Sequence, residues 1–259
     1  MIILVDIGHG ITPQYKLNDP GACGNNLIEA NLNEIISNEV IDRLQNKYIC
    51  EIIVLPRGQL SDRTKYANKI NADYLISFHC NSATNINASG WESHIYTNPS
   101  SKSIEYQKVI HNEVMSYLKN YNVIDRGMKK SNFHILRESN MPAILLENLF
   151  VSSSNNAKLL KDNKFLDGLA DSIVNGLVKC FNLQLKVTEN LNTNNNKEEL
   201  IDMAIEKWMK DAGINSLDSL IKNGIINDGN LWSNKMDEKT DNWLLFTMMA
   251  RLLEKINNK

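Results

Sequence analysis

Paired cysteines are missing from this chain. Cys23, Cys50, Cys80 and Cys180 are scattered, with none of the short spacings of a zinc knuckle or a disulfide framework, and they read as small core or half-exposed thiols. A dominant charge is missing too. The formal net charge is −2, whereas a nucleic-acid-binding protein is usually basic, so no charge-driven partner is indicated. No apolar run is long enough to span a bilayer. The opening, Met1 followed by Ile2-Ile3-Leu4-Val5-Asp6, lacks the basic start and long apolar stretch of a signal peptide. Together these absences point to a protein made in the cytoplasm without an export signal, with neither nucleic acid nor membrane as partner. Aromatic residues are few and no internal repeat is visible.

What is present is patterning. The 259 residues suffice for one substantial α/β domain and a smaller remainder. Ile2 to Ile7 is a short apolar run ended by Gly8-His9-Gly10, as expected where a buried parallel strand meets a loop. From Leu27 to Leu44 the residues Ile28, Leu32, Ile35, Ile36, Val40, Ile41 and Leu44 recur at helical spacing. Further strands are expected over Glu51–Leu55, Tyr74–Phe78, Trp91–Tyr96 and Ala143–Leu146. Helices are expected over Leu60–Ile70, Ser103–Leu118 and, as one or two pieces, Asn156–Cys180. This alternation predicts an α/β fold, a mostly parallel sheet with helices on both faces.

Composition changes near Gln184. The sequence divides into residues 1–183, a polar linker over 184–197 that includes Asn192-Thr193-Asn194-Asn195-Asn196, and a small all-helical C-terminal domain over 198–259. Trp208, Trp232 and Trp243 in the last segment invite a reading as a sugar-binding platform. Most are better read as the large side chains that hold a small helical core together.

His9, His79 and Glu147 each follow a short apolar strand. Ligands of open parallel sheets bind outside the carboxyl ends of the strands, so these three residues should crowd one edge. Glu29 lies in the first turn of a helix that begins at that same edge. Two imidazoles and a carboxylate are a common catalytic zinc set, which leaves a position for water. Such a metal lowers the pKa of its water to roughly 7 and polarises a carbonyl, as amide hydrolysis requires. Glu147 would then take the proton from water and pass it to the leaving amine. Each residue alone has an ordinary reading: a lone histidine is more often not a ligand, and a helical glutamate is usually solvated. Only their joint placement favours a metal.

The motifs resemble a family. Asp6-Ile7-Gly8-His9-Gly10, then Asp19-Pro20-Gly21-Ala22 and Glu29, is similar to the opening of the zinc N-acetylmuramoyl-L-alanine amidases called amidase 3. The resemblance continues through Arg63, Ala67-Asn68, the run Ala72 to Ser82 with Ser77-Phe78-His79-Cys80-Asn81, Gly90-Trp91-Glu92 and Arg126-Gly127. It ends at Pro142-Ala143-Ile144-Leu145-Leu146-Glu147-Asn148-Leu149-Phe150-Val151-Ser152. It implies a zinc cofactor (Zn2+) held by His9, Glu29 and His79, with Glu147 as the catalytic carboxylate. It also implies hydrolysis of the bond between N-acetylmuramic acid and L-alanine in bacterial peptidoglycan. The family usually has Pro at the position of Ile7 and Gly at those of Ile11 and Asn148, and Thr12 to Asn18 reads as an insertion. None of these departures removes a ligand or the acid.

Weaker expectations concern residues around that site. Asn81 and His134 are candidate substrate-binding residues. Asp6 either supports His9 from behind or caps its strand, while His94 and His111 are read as surface or structural. An appended domain on an unexported wall hydrolase is similar to the phage or prophage endolysin arrangement, with residues 198–259 binding a secondary wall polymer or driving self-association. The competing readings are a zinc peptidase acting within the stem peptide and a wall-binding protein without activity.

Overall fold

The computed structural model describes residues 1–12 and 17–186. The expected helical domain over 198–259 and nearly all of the linker lie outside them. The strands are β1 (Ile2–Ile7), β2 (Gly10–Thr12), β3 (Leu17–Asp19), β4 (Cys23–Gly24), β5 (Leu27–Ile28), β6 (Glu51–Val54), β7 (Tyr74–Asn81), β8 (Trp91–Ile95), β9 (Asp125–Lys130) and β10 (Ala143–Phe150). The helices are α1 (Glu29–Lys47), α2 (Leu60–Lys69), α3 (Ser101–Leu118), α4 (His134–Arg137), α5 (Ser154–Leu160) and α6 (Asn163–Phe181).

Six strands form one sheet in the order β6-β1-β7-β10-β8-β9. β6, β1, β7 and β10 run parallel; β8 is antiparallel to β10, and β9 runs parallel to β8. The expected mostly parallel sheet is therefore present, with β9 as an additional edge strand. Side chains alternate across this sheet. Ile3, Val5 and Ile7 of β1, Tyr74, Ile76 and Phe78 of β7, and Ile144 and Leu146 of β10 face α1, α3 and α6 in the larger core. Leu4, Leu75, Ala143 and Leu145 take the opposite phase and pack on α2 and α4.

The apolar stripe of α1 is buried through Leu32, Ile36, Val40 and Leu44. Each such side chain contributes about 1.5–3 kcal/mol on leaving water. Ser100, Ser153 and Asp162 cap α3, α5 and α6 by accepting backbone N–H bonds, which is why the expected 156–180 region breaks into two helices at Asp162. Leu27 and Ile28 pair with β4 and so leave the helix start to Glu29. Ile11 and Thr12 pair antiparallel with Asn18 and Leu17, at the two ends of the stretch read as an insertion. Among the described residues no helix is long and apolar enough to cross a membrane.

Candidate metal centre

Strand parity decides which side chains meet. His79 pairs in register with Glu147, and Glu147 with Glu92, so the three stand side by side across β7, β10 and β8. Neighbouring strands are about 4.8 Å apart, and paired residues share a face. This is the face of α2 and α4, whose short helices cover only part of it. His79 and Glu147 do not terminate their strands as expected. Both strands run on, to Asn81 and Phe150, because neither position carries a residue that breaks a ladder. The edge location nevertheless holds, since both lie in the carboxyl-terminal halves of their strands.

His9 sits in the loop after β1 with φ 60°, a left-handed conformation that few non-glycine residues adopt. Its carbonyl is held by Arg57 Nη1 at 2.5 Å, and Arg63 Nη2 lies 3.5 Å away. Glu29, 5% exposed, opens α1 beneath it. Glu29 Oε1 lies 3.1 Å from His9 Nε2 and 3.0 Å from His79 Nδ1, and the two imidazole centroids are 4.9 Å apart at 81°. Ala22 N–H donates to Glu29 Oε2 (2.8 Å) and Cys80 N–H to Oε1 (3.2 Å), fixing the carboxylate. Gly21 turns the chain here at φ 66°. A Cβ at that position would lie 2.6 Å from Glu29 Oε2 and 2.8 Å from His9 Cδ2, so only glycine leaves the carboxylate and the ring their places.

One donor atom from each of His9, Glu29 and His79 lies within 4.8 Å of the others, the arrangement of a possible metal site. Ligands about 2.0–2.2 Å from a tetrahedral zinc are roughly 3.3 Å from one another; the donor types suit that ion, and the Glu29–His9 and Glu29–His79 distances of 3.1 and 3.0 Å lie near this value. The site's electrostatics favour a cation. The Glu29 hydrogen bond, against the cost of burial, raises the His9 pKa to about 9. Burial pushes Glu29 up, but hydrogen bonds from His79 and His9 outweigh it and hold the carboxyl well below the ordinary range. Glu147 behaves in the opposite way. Burial, with Glu29 and Glu92 nearby, pushes its pKa up to about 7, and its Oε2 is buried without a hydrogen-bond partner.

The residues around these four hold one another through further contacts. Asp6 does not support His9. It is 1% exposed, pairs with Arg63 at 2.9 Å and accepts from Ser77 Oγ at 2.6 Å. The carboxylate behind His9 is Asp19, whose Oδ2 meets Nδ1 at 2.9 Å and leaves Nε2 to face Glu29. Asn81 Nδ2 donates to Glu92 Oε1 at 2.7 Å. His134, on α4, faces Thr64 Oγ1 at 3.3 Å and is not among the residues gathered at Glu29. His94 and His111 are buried and structural, bonded to Ser131 and to Ser93 and Asp125 respectively. Asn148, where glycine is usual, accepts from Trp91 Nε1 at 3.0 Å and donates to the His79 carbonyl at 3.2 Å. It bridges the register shift that follows Glu147, beside Leu149 at φ 68°.

Sequence reasoning missed Asp19 and Glu92 as site residues. Both stand in the quoted motifs, but neither follows an apolar strand, and a carboxylate that serves a histidine from ten residues away has no local signature.

A family model described as Amidase_3, N-acetylmuramoyl-L-alanine amidase, matches residues 3–179. The sporulation-specific N-acetylmuramoyl-L-alanine amidase of Bacillus subtilis (strain 168) is 39% identical over 187 residues, covering 70% of this chain and 69% of that protein. The endolysin of Bacillus phage SPP1 is 33% identical over 193 residues, covering 71% and 68%. The crystal structure of N-acetylmuramoyl-L-alanine amidase from Clostridium difficile 630 aligns with a TM-score of 0.64 at 31% identity, over 70% of this chain and 96% of that one. On these matches and this fold, the chain belongs to the amidase 3 family of N-acetylmuramoyl-L-alanine amidases.

Proposed function

We propose that this chain is a zinc-dependent amidase that cleaves the bond between the lactyl group of N-acetylmuramic acid and L-alanine in peptidoglycan. His9, Glu29 and His79 are the metal ligands, and Glu147 is the general base and acid. The observation that carries this reading is the meeting of His9 Nε2 and His79 Nδ1 on one Glu29 oxygen, with Glu147 in register with His79 on the next strand.

Bound there, zinc supplies a Lewis acid that acidifies water and polarises the scissile carbonyl. Asp19 holds the His9 ring by Nδ1 and leaves Nε2 as the nitrogen that would hold the metal. Ala22 N–H and Cys80 N–H hold the Glu29 carboxylate against rotation. Glu147, buried with Oε2 free of a hydrogen-bond partner, would take a proton from the attacking water and return it to the amine nitrogen of L-alanine as the C–N bond breaks.

Residues 184–197 then serve as a linker, and residues 198–259 as a module for a secondary wall polymer or for self-association. Identity to the phage SPP1 endolysin supports a wall-lytic role of the endolysin type.

The test is digestion of purified peptidoglycan by the full chain, loaded with zinc and again after chelation, with products identified by mass spectrometry. Stem peptides with a free L-alanine amine, lost on chelation and restored by zinc, are expected. Cuts within the stem would favour the peptidase reading, and no product at all would favour an inactive wall-binding protein.

A further inference from the structure

We infer that Arg126 is a receptor for a carboxylate on the peptide of the substrate, fixed beside Glu147 by Glu92 and Phe150. The inference rests on the amidase reading and deepens it.

Glu92 is a charged residue at 6% exposure, the register neighbour of Glu147. Such a carboxylate needs partners, and it has two: Asn81 Nδ2 on Oε1 at 2.7 Å and Arg126 Nε on Oε2 at 3.0 Å. His94 Nε2 lies a further 3.6 Å from Oε1. The Arg126 guanidinium is anchored a second time, with Cζ 4.8 Å above the centre of the Phe150 ring. Gly90 makes room for its stem, since a Cβ there would lie 2.9 Å from Arg126 Cγ. The register shift between Trp91 and Glu92, where β8 pairs with β9, brings Arg126 alongside Glu92.

Neutralising Glu92 takes only the Nε edge of this guanidinium. No described residue accepts from its two terminal amino groups, and the side chain keeps 35% of its surface open to solvent. A planar fork that is preorganised on one edge and open on the other is suited to a bidentate carboxylate. The row His79, Glu147, Glu92 runs across three neighbouring strands, so this open edge lies roughly 10 Å or a little more from the metal ligands. At about 3.5 Å per extended residue, that distance reaches the residues that follow L-alanine in a stem peptide. The first of these, D-isoglutamate, carries a carboxylate that is either free or amidated. Without substrate the donors on this open edge are left to water, which a substrate carboxylate would replace.

The test uses the zinc-loaded full chain and two muramoyl peptides that differ only in whether the D-isoglutamate carboxylate is free or amidated. For the wild type, kcat/KM should favour the free acid on the order of ten- to a hundred-fold, mostly through KM, as expected for a charge-assisted hydrogen-bonded pair. Arg126→Gln should bring the acid-to-amide ratio close to one, and Arg126→Lys should keep part of the preference. A wild type without preference would overturn the inference, as would an Arg126→Gln enzyme that slows on both peptides with the ratio unchanged. Wild-type preference together with its loss in Arg126→Gln supports it. If Arg126→Gln does not fold, the ratio for Arg126→Lys decides, with an unchanged ratio counting against the inference and a reduced one for it. Release of no L-alanine-terminated peptide from either substrate would overturn the amidase reading, and this inference with it.

Discussion

Replacing Gly21 by alanine should weaken metal binding far more than it weakens the fold. The added methyl would start 2.6 Å from Glu29 Oε2 and 2.8 Å from His9 Cδ2. Ordinary contact begins near 3.5 Å, so each group must retreat by roughly 0.7–0.9 Å, several times the distance tolerance of about 0.2 Å in a metal site. Loss of supporting contacts around a ligand typically costs 10–100-fold in affinity, and here the ligands themselves move. A drop on the order of 100-fold, about 2.7 kcal/mol, is therefore expected. Positive φ adds a separate cost of about 1–2 kcal/mol to stability. Gly127→Ala isolates that second cost, because Gly127 has φ 88° and a Cβ there would meet nothing within 4 Å. Zinc affinity is read by competition with a chromophoric chelator, and stability by urea unfolding of the metal-free proteins. Gly127→Ala should lose stability and keep its affinity. Near-wild-type affinity in Gly21→Ala, or an equal loss in both variants, would refute the reasoning.

Asp19→Asn removes the anion from His9 Nδ1 and should weaken zinc binding by about 10–100-fold by the same titration, while the fold persists. In the metal-free protein the His9 pKa is raised from 6.5 to about 9. A raised pKa gives stability that is fully present below pH 6.5 and lost as pH rises through about 9, so the metal-free Tm should fall across that window, and saturating zinc should remove the slope. Zinc must displace the same proton, so its affinity should rise with pH and level off above about pH 9; an affinity flat from pH 6.5 to 9 would contradict the Glu29–His9 pairing. Arg63→Ala strands the buried Asp6 carboxylate with Ser77 as its remaining side-chain partner and should cost about 3–5 kcal/mol in urea unfolding. A cost below about 1 kcal/mol would mean that Asp6 finds another partner.

Much of the framework was legible because strands and helices here differ in the period of their apolar residues. The run Ile2 to Ile7 and the stripe Leu32, Ile36, Val40 and Leu44 could each be assigned from their own residues, and strand order then placed His9, His79, Glu147 and Glu29 at one edge. Asp125 to Lys130 carries no such signal. It is an edge strand whose residues are mostly exposed and charged, so burial imposes no alternation on it. The continuation of β10 past Glu147 is equally hidden, since the Asn148 contacts with Trp91 and the His79 carbonyl lie across the sheet and leave no local pattern. Asp6 shows the limit of local reasoning. Its position three residues before His9 suggested a supporting role, but its side chain faces Arg63 of α2, and Asp19 supports the imidazole instead.

The most direct test of the account is the rate of L-alanine-terminated peptide release from peptidoglycan by Glu147→Gln, measured beside its bound zinc. The substitution keeps the shape of the side chain and removes its ability to carry the proton. With His9, Glu29 and His79 intact, zinc should remain bound as in the wild type, and the rate should fall by about 10²–10⁴-fold. A variant that retains zinc and cleaves at the wild-type rate would contradict the assignment of Glu147 as the proton carrier.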